Sequence, residues 1–66
     1  MDFKQKLPNK PRCPEHTQIV HYDNGKKLTL VGVIMVWQDT LVHLITKDNR
    51  HYLVNPERVL HTEILL

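Results

Sequence analysis

The residues best equipped for chemistry are five histidines and one cysteine in a chain of 66 residues. Cys13-Pro14-Glu15-His16 sets a thiol and an imidazole three positions apart, a spacing that can chelate zinc. His21 could supply a third ligand, so Cys13, His16 and His21 form the weak candidate metal set. A structural zinc site normally draws on two such half-sites, and the sequence holds only one. We therefore expect no cofactor. His21, His43 and His61 fall on three separate apolar segments, where protonation near pH 6 would add several charges to one surface. Catalysis is poorly supported. Cys13 lies between Pro11 and Pro14, away from any rigid element, and with two glycines the chain has no phosphate-cradling loop. The protein is expected to be non-enzymatic, with no small-molecule substrate.

Cations form the second candidate set. Lys4, Lys6, Lys10 and Arg12 precede the apolar part of the chain, Lys26 and Lys27 sit at one turn, and Lys47 and Arg50 flank another. Together they could contact nucleic-acid phosphates. Tyr22, Trp37 and Tyr52 could offer stacking faces. The third set is apolar: Met35 and Trp37 at the end of a long hydrophobic run, and Ile64, Leu65 and Leu66 at the C-terminus. Such residues on the last strand of a small domain suit a protein partner or self-association.

Composition says what must hold these residues in place. Residues 1–16 contain three of the four prolines, four cations and two anions (Asp2 and Glu15). Residues 17–66 balance five cations against five anions, so the formal charge of +2 belongs to the first segment. Prolines at positions 8, 11 and 14 favour an extended path and block helix. We expect a basic, proline-rich N-terminal arm over 1–16 and one domain over 17–66. No apolar run approaches the roughly 20 residues of a membrane span, and the first ten residues lack the apolar stretch of a signal peptide. A single cysteine provides no internal staple, so a cytoplasmic location and no membrane partner are expected. A domain this small hides only about 60% of its unfolded surface, which favours working in company.

The domain reads as strands. Ile19, Val20 and Tyr22 lie in the first, over 17–23, and Asn24-Gly25 predicts a type I′ hairpin turn. A long strand follows over 26–37. Its first part alternates around Leu28 and Leu30, and both faces turn apolar from Val31. Gly32 at the changeover predicts a bend. Strands over 41–47, 51–54 and 59–66 complete the set, separated by turns at 38–40 and 48–50. Asn55 and Pro56 predict a capped single helical turn. The pattern is all-β: a five-stranded SH3-like or Sm-like small barrel.

Residues 19–61 resemble the Sm-like family, and among bacterial members its Hfq-type proteins. The resemblance rests on Ile19 to Tyr22, Asn24-Gly25, Lys27-Leu28, Gly32, Val33-Ile34, Asp39, and Val42 to Ile45. It implies an RNA-binding regulator built on a small barrel. The chain departs from the pattern by two extra residues before Gly32 and one before Asp39. Tyr52-Leu53-Val54 also replaces the Tyr-Lys-His triplet, so that RNA contact does not carry over. Pro14-Glu15-His16 followed by this strand pattern is also similar to bacterial YolD-like proteins. The expected function is a small binding or adaptor protein, bacterial or phage-like in style. It would regulate a partner or assembly through a barrel edge and the apolar C-terminal surface. The alternative is an RNA-binding or other nucleic-acid-binding regulator that uses the cations.

Overall fold

The computed structural model describes residues 10–66. Five antiparallel strands form one sheet: β1 (His16–Tyr22), β2 (Lys27–Gln38), β3 (Val42–Thr46), β4 (His51–Val54) and β5 (Val59–Leu65). The spatial order is β4-β3-β2-β1-β5. The chain is therefore all-β, as its alternation and turn residues predict. The sheet is not closed into a barrel. Among the described residues β4 pairs only with β3 and β5 only with β1, which leaves two edges. The expected proline-rich arm lies mostly in residues 1–9, outside the described residues. β1 opens at His16, within the segment assigned to that arm.

The core lies on one face, here the inner face. Val20, Leu30, Val33, Leu44 and Val54 are its buried residues, with Tyr22, Leu28, Val42, Tyr52 and Val59 packed against them. All five strands thus contribute to one cluster. A flat sheet could not manage this, because strands stand about 4.8 Å apart and its two edges would lie far from each other. Two register shifts in β2 supply the curvature. Against β1 the pairing passes from Leu30 to Val33, and against β3 from Val33 to Met35. Each shift inserts an extra residue into β2, which bends a strand and re-aims its side chains. Gly32 sits in the first bulge with φ of 75°. Simple alternation would place Val31, Val33 and Met35 on one side, and the two bulges break that grouping. Val33 is fully buried in the core while Val31 is 64% exposed.

Both tight hairpins are built alike. Tyr22 N–H donates to the Lys26 carbonyl and Gly25 N–H to the Tyr22 carbonyl. Thr46 and Arg50, with Asn49, repeat this pattern. In each three-residue loop the third residue takes positive φ, Gly25 at 82° and Asn49 at 67°. This corrects the expected type I′ turn, which needs positive φ at Asn24 as well. Asn49 is the sole non-glycine residue with positive φ among the described residues. The observed form is the turn followed by a left-handed residue that three-residue hairpin loops favour. Asn24 still contributes, because its Oδ1 accepts the Lys26 N–H at 3.0 Å. The turn over Pro56–Arg58 forms as expected, with the Asn55 side chain accepting from Glu57 N–H.

Candidate functional site

The outer face of the sheet, opposite the core, carries most of the polar chemistry. Alternation along β1 turns Val20 inward and Ile19 and His21 outward. The pairing of His21 with His61, and of Ile19 with Glu63, brings His61 and Glu63 of β5 to the same face. The His21 Nε2–H donates to Glu63 Oε1 at 2.6 Å. The His61 ring stacks on that of His21, with centroids 4.3 Å apart and planes 22° from parallel. One ligand atom from each of His21, His61 and Glu63 lies within 4.8 Å of the others.

A second cluster occupies the other half of this face. Trp37 is the cross-strand partner of His43. Their rings stack with centroids 4.7 Å apart, and His51 tilts against both. Asp39 accepts from His43 Nε2 at 2.9 Å. With that nitrogen carrying the proton, His43 Nδ1 accepts from His51 Nε2–H at 2.9 Å. The Leu41 backbone N–H and the His43 ring both stabilise the Asp39 carboxylate and hold its pKa below the usual value. The Thr46 hydroxyl, which donates to Asp48, lowers the Asp48 pKa in the same way. The Lys10 ammonium sits 6.0 Å from the Trp37 ring centre, at the outer limit of a cation–π contact. Trp37 is thus half-buried among imidazoles, and Met35 beside it is 4% exposed.

The sequence-derived metal set is divided. Cys13 Sγ and His16 Nδ1 stand 4.0 Å apart. The same His16 nitrogen approaches the Pro14 carbonyl at 2.7 Å, and its Nε2 pairs with the side chain of Gln18. His21 belongs to the β1–β5 cluster instead. Among the described residues that cluster is the only group of three with converging ligand atoms. The cations are also dispersed. Lys26 and Lys27 lie at the β1–β2 hairpin, Lys47 pairs with Glu15 at 3.2 Å, and Arg50 pairs with Asp48 at 3.3 Å. Arg12 is exposed, and Lys4 and Lys6 lie outside the described residues.

The apolar C-terminal residues lie at an edge. Among the described residues β5 pairs with β1 along one side only, and six of its seven residues are exposed. Leu60 is 69% exposed, Ile64 57%, Leu65 50%, and Leu66 beyond the strand is fully open. Leu60 was missed by the sequence reading. It is the extra residue where the β1–β5 register shifts from His21–His61 to Tyr22–Val59. Isolated exposed leucines are ordinary. Three leucines and Ile64 within seven positions, beside an edge unpaired among the described residues, form a surface that a second strand could cover. Comparisons with protein-family models, curated proteins and solved structures return no match.

Proposed function

We propose that this is a non-enzymatic binding protein that takes up a protein segment along β5. It would act as a small regulator or adaptor of that partner or of an assembly of its own copies. The observation that carries the reading is the open β5 edge with Leu60, Ile64 and Leu65 exposed along it. An unpaired strand offers a row of backbone donors and acceptors for affinity, and its side chains supply selectivity. The strand order and the bent β2 support the finer description of the open sheet as SH3-like or Sm-like in its strand arrangement, and the basic arm belongs to the proposal as the sequence alone suggests it. The Sm-like resemblance and a cytoplasmic, bacterial setting belong to the same proposal.

The test compares wild type with an Ile64→Lys, Leu65→Lys variant, by sedimentation velocity and by capture from nuclease-treated and untreated lysates. Loss of self-association or of nuclease-resistant capture in the variant supports the proposal. Undiminished assembly and capture by the variant refute it. Capture that nuclease abolishes, and that falls when Lys26 and Lys27 are replaced by alanine, favours the nucleic-acid alternative. Lys26 and Lys27 carry that second reading best, because Lys47 and Arg50 are already paired with carboxylates.

A further inference from the structure

We propose that His21, His61 and Glu63 form a surface site for a first-row divalent transition ion such as Zn²⁺. The placement follows from the backbone. His21 and His61 are direct partners across the β1–β5 ladder, and Glu63 lies two residues beyond His61 on the same face. The strands hold three donors together before any ion arrives.

Two imidazoles and a carboxylate suit zinc, copper or nickel better than magnesium or calcium, which prefer oxygen donors. They also leave a coordination position open for water or a further ligand. Metal–nitrogen and metal–oxygen distances near 2.0–2.1 Å place tetrahedral donor atoms about 3.3 Å apart. The three donors already lie within 4.8 Å of one another, so small side-chain rotations bring them to that separation. Those rotations are free to occur. The Glu63 side chain is 49% exposed and His61 is also exposed.

An imidazole–carboxylate ion pair needs only His21 and Glu63. The second imidazole, stacked on the first, adds nothing to that pair but completes a three-donor set. Lys27, the partner of His21 on β2, is the one other charged side chain the ladder places directly beside His21. Its exposed ammonium opposes a bound cation only weakly. An ion held here would tie β5 to its partner β1, so binding should also slow exchange of the β5 amides.

The experiment titrates the tag-free full chain with ZnCl₂ at pH 7.5 by calorimetry, alongside His61→Ala, Glu63→Gln and Cys13→Ser variants. We expect one ion per chain, with shifts in the ring nitrogen resonances of His21 and His61. His61→Ala should weaken binding at least tenfold and Glu63→Gln several-fold, while Cys13→Ser should leave it unchanged. MgCl₂ should not compete, because two imidazole donors do not suit a cation that prefers oxygen. His61 and Glu63 are exposed and Cys13 is half-buried, and circular dichroism checks that each variant folds. Absence of zinc binding, or binding that His61→Ala leaves intact, overturns the proposal. So does binding that Cys13→Ser abolishes, because the ion would then sit at Cys13 and His16.

Discussion

Replacing Gly32 by alanine tests the bend in β2 directly. Gly32 holds φ of 75°, and an added Cβ would stand 3.0–3.2 Å from Cγ, Cδ and Cε of Lys47. A left-handed backbone costs an L-residue about 1–2 kcal/mol. The Lys47 contact is the smaller effect, since a flexible side chain can swing away. That movement sacrifices its exposed pair with Glu15, worth about 0–1 kcal/mol. Alanine also restricts the unfolded chain, which returns about 0.4–1 kcal/mol. The net expectation is a loss of about 1–2 kcal/mol, which in a domain of this size lowers Tm by roughly 5–15 °C. Gly25→Ala is the matched control. Its φ is 82°, and nothing lies within 4 Å of the added Cβ. The difference between the two variants isolates the Lys47 contact, and in a Lys47→Ala background Gly32→Ala should cost no more than Gly25→Ala. Urea unfolding followed by Trp37 fluorescence and circular dichroism supplies the numbers. A Gly32→Ala protein as stable as wild type would refute the argument that β2 bends through a left-handed residue.

Other perturbations probe other parts of the fold. Leu44 is 1% exposed at the centre of the core, so Leu44→Ala should cost about 2–5 kcal/mol and leave much of the protein unfolded by circular dichroism at 37 °C. Asn49→Gly should be neutral or stabilising, whereas Asn49→Val should destabilise by about 1–2 kcal/mol, both read by urea midpoints. Asp39 has a lowered pKa in the folded state, so its ionised form favours folding. That contribution is complete above the unfolded value near pH 4 and fades as pH falls through the lower folded value. Asp39→Asn should therefore lower Tm at pH 7, and the gap to wild type should close toward pH 2. A gap of constant size would point to steric disturbance instead.

Local patterns announced most of the strands. Leu28 and Leu30, alternating with Lys27 and Thr29, report a half-buried strand because a period of two is written into adjacent residues. Asn55-Pro56 announces its own cap for the same reason. The turn at Asn24-Gly25 was legible as a hairpin but not in type, since the choice depends on whether one or two residues adopt positive φ. Asn49 carried a weaker signal, because asparagine tolerates that conformation without requiring it. Gly32 marked the bend, yet the second bulge near Ile34 has no special residue. It turns Met35 away from the face of Val33 to pair with Ile45, where it is still only 4% exposed and unavailable as a contact. The His21–His61–Glu63 cluster could not be read from spacing. It exists only through the β1–β5 register, and a shift of one residue would send His61 and Glu63 to the inner face. The His61-Thr62-Glu63 alternation shows two donors on one side of a strand, but nothing local names their partner.

The pairing of the first strand with the last has a consequence for how the chain reaches its native state. The two tight hairpins join near neighbours, whereas His21 and Glu63 are 42 positions apart. Short loops close quickly, while a distant contact must first overcome the entropy of the long connection. During synthesis β5 also emerges after the other four strands of the sheet. Until it docks, β1 presents a bare edge carrying Ile19 and Val20, and the nascent sheet is open to pairing with the wrong strand. The interval before β5 emerges is therefore the period in which this sheet is most exposed to aggregation, and a truncation that removes β5 would make that vulnerability permanent.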